Sequence, residues 1–429
     1  MKYLYTLLGV FVAIATFAQS ELEKQLFELP DVIFTPIETP DGYAAAYKLM
    51  VKQPLDHTNE DAGYFYQKVY YSHKGYDYPT AIITNGYHKN GNTITEVAEM
   101  TSANQLSVEH RFFGESKPES MDYQYLNFEQ VTADLHRIRM LFSEIHDGKW
   151  ISTGISKGGT TTIFYKYFYP EDVDVSIPYV APLNYEYEEK RIYEFLDKIG
   201  TEECRNNIYA LQKDLLANSD DILPLLRWYV KGRDLDFNYL SLEEAYEYAV
   251  LELPFSFWQY GQDCALIPVK KDLQDKVDYL LEIVGLDFYS DRDMETYGSH
   301  YYQSATEMGY YGFETEEFKG LLKYLPYDPH PHAAFVPNKM KVKWDGTLTN
   351  KAAQWIEENG NNILYINGAL DTWSATAVPP SELVNSKWFF MEGKHHASAR
   401  IANMTDKERM EFVQALEEWL EITIDDKRP

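Results

Sequence analysis

Short apolar runs and amphipathic stretches alternate along the first part of the chain. The apolar runs predict buried strands at residues 64–71, 80–84, 105–109, 150–153 and 173–180. Between them, residues 128–145 carry apolar side chains at helical spacing, and a second helical stretch follows residue 153 and stops at Pro170. Strand–helix–strand alternation of this kind predicts an α/β fold with a largely parallel sheet covered by helices.

The alternation is interrupted in the middle of the chain. Residues 184–332 are helical in pattern, acidic and rich in Tyr, Glu and Leu, and strands resume at 362–366 and 387–391. A capping-box sequence that begins at Thr405 predicts a final helix. We therefore expect one α/β core split by a helical insertion that lies as a lid over the carboxyl edge of the sheet, where ligands bind. The predicted divisions are a signal peptide at 1–18, the first part of the core at 19–183, a helical cap at 184–335 and the second part of the core at 336–429.

The first residues have the features of an export signal. Lys2 precedes an apolar run over residues 3–17, and the small residue Ala18 suits cleavage by a signal peptidase. The run is too short for a comfortable membrane span, and the remaining sequence has no stretch of comparable apolar length. We expect a secreted or periplasmic protein whose mature chain does not insert into a membrane.

Composition narrows the possible partners. Apolar residues make up 45% of the chain, which is enough for a sizeable core, and the formal net charge is −28. Nucleic acids and anionic membranes would be repelled by that charge, so neither is an expected partner. Cys204 and Cys264 are the only cysteines, and they form either one disulfide or two free thiols. No histidines have metal-ligand spacing, and neither a metal nor another cofactor is predicted.

A candidate nucleophile lies at the junction between the predicted strand at 150–153 and the helix that follows it. Residues 154–158 read Gly-Ile-Ser-Lys-Gly, with a predicted strand immediately before them and a helix immediately after. This is the context in which G-x-S-x-G forms a sharp turn that exposes a serine hydroxyl. Ser156 is therefore the predicted nucleophile, and the alternative is an ordinary glycine-rich loop.

The acid and the base of a catalytic triad are expected after the insertion. Asp371 follows the strand at 362–366, and the adjacent His395 and His396 follow the strand at 387–391. An acid and a histidine in consecutive strand-end loops match the order Ser, Asp, His of this type of triad. Asp371 is the predicted acid, and either histidine remains possible as the base at this point.

The oxyanion of the reaction needs two backbone donors. The first is expected from Lys157, which follows the nucleophile, and the second from Tyr87, in the loop after the strand at 80–84. Gly86 would let that loop approach the substrate closely.

Together these segments resemble a known family. Residues 154–159, 109–114 and 53–57 look like those of secreted bacterial tripeptidyl aminopeptidases, and more distantly of lysosomal prolylcarboxypeptidase. The resemblance covers nearly the whole mature chain and implies an α/β-hydrolase core with a large helical cap. Residues 393–396 are similar to the G-x-H-H loop of these relatives, in which the first histidine is catalytic, and this favours His395 over His396.

The resemblance implies an aminopeptidase that binds peptides with a free N-terminus. A partly buried carboxylate is the simplest group to recognise an ammonium, and the candidates are Glu307 and Glu109. A proline ring stacks well on aromatic faces, so Trp258 and Tyr260 are candidates for the specificity pocket. Each of these residues could instead serve the packing or internal pairing of the protein.

The predicted function is a secreted serine exopeptidase that releases short N-terminal peptides, tripeptides with proline before the cut. The nearest alternative is a carboxypeptidase that removes a residue after proline, which would need a cation for the substrate carboxylate. A carboxylesterase or lipase uses the same triad, but the acidic, Tyr-rich insertion is a poor lipid-facing lid. A non-enzymatic binding protein on the same scaffold is disfavoured because all three triad residues are present.

Overall fold

The structure is a computed structural model, and it describes residues 20–326 and 329–424. The predicted signal peptide at 1–18 therefore lies outside the described residues. Within the described part, one sheet forms the centre of the molecule and helices cover it, which confirms the predicted α/β class.

Nine strands form this sheet in the order β1-β2-β3-β5-β4-β6-β7-β8-β9. The pairs β1–β2, β2–β3 and β3–β5 are antiparallel, and all the other neighbouring pairs are parallel. The strands are β1 Val32–Pro36, β2 Ala45–Pro54, β3 Tyr64–His73, β4 Thr80–Thr84, β5 Asn104–Val108, β6 Trp150–Ile155, β7 Val175–Tyr179, β8 Leu364–Gly368 and β9 Lys387–Met391.

Thirteen α-helices are present in the described part of the chain. They are α1 Glu21–Glu28, α2 Glu96–Met100, α3 Phe128–Phe142, α4 Lys157–Phe168, α5 Arg191–Leu196, α6 Glu202–Ala217, α7 Ser219–Gly232, α8 Leu242–Gln259, α9 Leu273–Ile283, α10 Asp291–Gln303, α11 Pro331–Ala334, α12 Thr347–Asn359 and α13 Asp406–Leu420. A single π-helical turn, Ser304–Met308, continues α10.

Local sequence explains where these elements begin and what they bury. The strands β4, β5, β7 and β8 are buried at every position, as expected for parallel strands that have helices on both faces. The predicted capping box of the last helix is confirmed: Thr405 Oγ1 accepts from the Glu408 N–H at 3.3 Å, and the Glu408 carboxylate accepts from the Thr405 N–H at 2.8 Å.

The helices between β7 and β8 have a hydrophobic core of their own. It is built mainly from apolar side chains of α6 to α10, and the partly buried Leu370 and Trp373 from the loop after β8 pack against it. The helical segment is thus in contact with a loop at the carboxyl end of the sheet. The division of the chain into domains at residues 184 and 335 stays a prediction.

A disulfide joins Cys204 on α6 to Cys264, just beyond α8. Of the two alternatives that the sequence left open, the structure has the bonded one. Across residues 20–326 and 329–424, every helix is too short or too polar to cross a membrane.

Candidate active site

Ser156 occupies the sharp turn between β6 and α4. Its backbone has φ 58° and ψ −126°, a strained conformation for a residue other than glycine. Two close contacts hold it there. The Ser156 N–H donates to the Tyr179 carbonyl at 2.9 Å, and a side chain at Gly158 would collide with the Thr84 carbonyl. The predicted strand–turn–helix context is therefore present.

Asp371 and His396 form a buried hydrogen-bonded pair. Asp371 is fully buried, and its Oδ2 lies 2.8 Å from Nδ1 of His396. Because an ionised carboxylate can only accept, Nδ1 carries the hydrogen, and Nε2 of a neutral ring is left as the acceptor. A histidine held in this tautomer can take a proton from a hydroxyl.

The surroundings of the two histidines favour His396 over the predicted His395 as the base. It is His396 that pairs with Asp371, while Nδ1 of His395 is buried without a hydrogen-bond partner. The His395 ring packs instead against the backbone of Gly261, where an added Cβ would lie 2.6 Å from its Cδ2. Consecutive residues in this tight loop point in different directions, so the short spacing in the sequence does not show which of the two faces Asp371.

The loop after β4 lies directly against the start of α4. A Cβ at Gly86 would lie 2.7 Å from both the Gly158 nitrogen and Lys157 Cβ, so no side chain fits between the two segments. The backbone N–H of Lys157 is in the first turn of α4, where helix amides have no acceptor within the helix. Tyr87, Ser156 and Lys157 line one cavity, as expected for a nucleophile and two oxyanion donors.

The side chain of Lys157 also links the loop after β4 to the start of α4. Its Nζ donates to the Gly86 carbonyl at 2.9 Å and lies 3.1 Å from Nε2 of His110. Because Nδ1 of His110 donates to the Arg111 carbonyl at 2.8 Å, its Nε2 is the acceptor of the lysine hydrogen. Burial holds the pKa of the Lys157 ammonium well below its ordinary value. Lys157 thereby fixes the carbonyl that immediately precedes Tyr87.

A cavity of about 710 Å³ lies between the sheet edge and the helical segment. This volume is in the range of pockets that hold small ligands and short peptides. Aromatic side chains make up much of its lining: Tyr87, Tyr260, Phe288, Tyr289, Tyr297, Tyr310, Tyr311 and Trp373. Ser156 and His396 also line it, so the candidate nucleophile and base face the same cavity.

The end of α8 is attached to the loop that carries the histidines. The Gln259 carbonyl accepts from the His396 N–H at 3.1 Å, and Gly261 packs on His395. The helical segment therefore contacts the candidate catalytic loop directly.

The two glutamates predicted to bind substrate have other partners in the structure. Glu307 accepts from the Phe128 N–H at the start of α3, with its two oxygens at 3.0 and 3.2 Å. Burial raises the pKa of Glu307 to about 7. Glu109 is fully buried, 2.8 Å from the Lys68 ammonium, and accepts from the backbone of the 115–116 turn. Neither is among the residues that line the cavity.

Of the two aromatic candidates for the pocket, one lines the cavity. Trp258 is buried within the helical segment, where its ring fills the space beside Gly200. Tyr260 lines the cavity, as does Trp373, which the sequence analysis did not single out. Trp373 stacks on Tyr310 with ring centroids 6.3 Å apart.

Glu252 is a buried carboxyl group of the cavity that sequence reasoning missed. It lies on α8, is 8% exposed, and accepts from the Tyr311 hydroxyl at 2.9 Å. Burial raises its pKa to about 8. The sequence did contain a signal, because Glu252 stands inside the otherwise apolar run of residues 249–255. An isolated charge in such a run needs either a partner or a function.

The chain is similar to serine peptidases over nearly its whole length. A sequence profile of the PS-10 peptidase S37 family matches residues 19–422. The chain is 30% identical over 414 residues to a prolyl tri/tetrapeptidyl aminopeptidase of Streptomyces mobaraensis, covering 94% of this chain and 86% of the relative. It is 24% identical over 401 residues to a prolyl carboxy peptidase like protein of Caenorhabditis elegans, covering 77% and 78%. A probable serine protease of Arabidopsis thaliana is 22% identical over 363 residues, with coverage of 72% and 71%.

Proposed function

Because the chain belongs to the peptidase S37 family of serine peptidases, with their α/β-hydrolase fold, we propose that it is an aminopeptidase that removes short peptides from the N-terminus of its substrates. The proposed products are tripeptides with proline as their last residue. The proposal includes export of the chain, with residues 1–18 as its signal.

In this proposal Ser156, His396 and Asp371 perform the reaction. The Ser156 hydroxyl attacks the scissile carbonyl while Nε2 of His396 takes its proton, and Asp371 holds the imidazole in place. The backbone N–H groups of Lys157 and Tyr87 bind the oxyanion of the tetrahedral intermediate. His396 then donates the proton to the departing amine, and water hydrolyses the acyl-enzyme by the same steps in reverse.

The charge of the cavity lining is the observation that carries the aminopeptidase polarity. The lining includes the carboxyl groups of Glu252, Asp287 and Asp293 and no arginine. Its one lysine, Lys157, already donates to Gly86 and His110. A carboxypeptidase needs a cation for the terminal carboxylate of its substrate, whereas this lining suits the ammonium of a free N-terminus.

The aromatic lining supports a preference for proline. Trp373, two residues after Asp371, stacks on Tyr310, and both rings line the cavity. A pyrrolidine ring packs well on such faces and loses little conformational entropy when it binds. The name of the Streptomyces relative points to the same residue.

One peptide with proline at its third position tests the polarity. It is offered free, N-acetylated and C-amidated, and mass spectrometry identifies the products. We expect cleavage after proline in the free and amidated forms and loss of cleavage on acetylation. Loss on amidation instead would indicate a carboxypeptidase. Cleavage of a simple acyl ester with no cleavage of any peptide form would indicate an esterase.

Ser156→Ala is the matched control for this assay. We expect it to fold with an unchanged melting temperature and to lose peptide and ester hydrolysis by a factor of about 10⁴ or more, because the nucleophile is absent. Turnover retained by this variant would contradict the assignment of Ser156.

A further inference from the structure

The buried glutamates of the protein differ in how their charge is compensated. In the described part of the chain these are Glu109, Glu189, Glu247, Glu252 and Glu307. Glu109 and Glu189 pair with the cations of Lys68 and Arg191. Glu247 and Glu307 accept backbone N–H groups, three for Glu247 and one for Glu307. Glu252 has a different environment from all of these.

Glu252 has a single neutral donor and faces the cavity. The Tyr311 hydroxyl is the one hydrogen-bond partner that the described residues give it, and the carboxyl group lines the space that Ser156 also lines. The other two carboxylates of the lining have cations nearby: Asp287 lies 3.1 Å from Arg233, and Asp293 lies 3.2 Å from Arg292. Glu252 is thus a buried acid with acceptor capacity left for a cation that enters the cavity.

The position of Glu252 on α8 sets its distance from Gln259, near the end of the helix. Glu252, Ser256 and Gln259 all line the cavity, as residues spaced by four and then three lie on one helix face. Gln259 is attached to the candidate base through its carbonyl, which accepts from the His396 N–H. Seven residues of α-helix rise about 10 Å, and an extended peptide rises about 3.3 Å per residue, so this interval corresponds to about three residues.

We infer that Glu252 binds the α-ammonium group of the substrate, and that its spacing from the His396 loop along α8 places the third peptide bond at Ser156. The inference rests on the proposed aminopeptidase function and assigns one residue to its polarity and its product length. A charged ammonium beside Glu252 would supply the cation that no described residue supplies to this carboxyl group.

Glu252→Gln tests the assignment, with Glu307→Gln as the matched control. Both changes replace a buried carboxyl group by an amide of the same size, but Glu307 does not line the cavity. Three substrates are compared: a tripeptidyl anilide that ends in proline, its N-acetyl form, and an acyl ester that has no amine. We expect Glu252→Gln to lower kcat/KM for the free tripeptidyl anilide about thirtyfold or more, and to lower kcat/KM for the ester much less. In Glu307→Gln the ratio between the free and acetylated substrates should stay as in the wild type.

The outcomes separate the two proposals. If the wild type cuts the acetylated anilide as fast as the free one, the aminopeptidase function itself is contradicted. If the wild type prefers the free amine and Glu252→Gln keeps that preference, only the assignment of Glu252 is overturned. Ester hydrolysis by the variant shows that it has folded. If Glu252→Gln does not hydrolyse the ester, Glu252→Asp is tested in its place. In Glu252→Asp, KM for the free substrate should rise severalfold while ester hydrolysis is retained. An unchanged KM overturns the assignment.

Substrate length tests the spacing separately. Anilides with two, three and four residues before the cut, all ending in proline and with free amines, should give the highest kcat/KM at three. Glu252→Gln should reduce the difference among them. A wild-type maximum at two or four residues would contradict the interval along α8.

Discussion

At the scale of single residues, the two neighbouring histidines have separate surroundings. His396 shares a hydrogen bond with Asp371 and opens into the cavity, whereas His395 is packed against Gly261. The first arrangement suits proton transfer and the second suits the packing of a loop. The two side chains should therefore differ in what their removal does.

We expect His396→Ala to lower kcat for an acyl ester by a factor of about 10³ or more, because the base is lost. His395→Ala should retain most of kcat and lower the free energy of unfolding by about 1–2 kcal/mol, since it removes a packed ring. Ester kinetics and thermal melts of the two variants check this. A larger loss of kcat in His395→Ala than in His396→Ala would restore His395 as the base.

Single residues also show how far sequence reasoning reaches. Ser156 and Asp371 follow strands directly, so the strand pattern alone brings their loops to one edge of the sheet. The choice between His395 and His396 depends on the path of a tight loop, which local spacing does not encode. Glu252 depends on a helix packed against residues that are distant in sequence, such as Tyr311, and its role is visible only after the chain has folded.

At the scale of elements, the disulfide supports the end of α8. Cys264 is five residues beyond Gln259, the residue whose carbonyl accepts from the His396 N–H, and it is bonded to Cys204 on α6. The covalent bond therefore limits the movement of the segment that contacts the candidate catalytic loop.

Replacing both cysteines by serine should lower the free energy of unfolding. The bond closes a loop with a sequence separation of 60 residues, for which the chain-entropy relation gives about 4 kcal/mol. KM for peptides should rise more than KM for a small ester, because the peptide depends on α8. Melting curves with and without reductant provide the measurement: the wild type should shift and the double variant should not. A wild-type melting temperature that is insensitive to reductant, with the thiols shown to be free, would contradict this.

Strand prediction followed the apolar runs of the sequence more closely than it followed burial. The predicted strands at 80–84 and 387–391 coincide with β4 and β9, whereas β1 and β2 were not predicted. Those two lie at the antiparallel edge, where one face of each strand is more exposed, so polar residues such as Lys48 and Lys52 interrupt the apolar signal of β2. The helical character of the stretch between β7 and β8 was predictable from its pattern, but its contact with the histidine loop was not.

At the scale of the whole molecule, two buried acids link stability to pH. Burial raises the pKa of Glu252 to about 8 and that of Glu307 to about 7, from an ordinary value of 4.5. Between the ordinary and the raised pKa the folded chain binds more protons than the unfolded chain. These two groups therefore make the free energy of unfolding fall as the pH rises from about 4.5 to 8.

Glu252→Gln should consequently gain stability relative to the wild type as the pH rises from 5 to 9, by about 4 kcal/mol. Urea unfolding at the two pH values gives the difference. Glu38→Gln, at an exposed position, is the control, and its difference from the wild type should be the same at both values. An equal effect of Glu252→Gln at pH 5 and pH 9 would show that Glu252 is not held in its protonated form by the fold.

The attachment of Gln259 and Gly261 to the histidine loop has a consequence for what the protein can digest. The helical segment is attached to the histidine loop, so a large movement of the segment would disturb the loop. The segment therefore limits which substrates reach the site without opening widely. On the proposed function, we expect flexible chain ends and short fragments to be hydrolysed faster than the same sequence within a folded protein. Its substrates would then be the fragments that other proteases release.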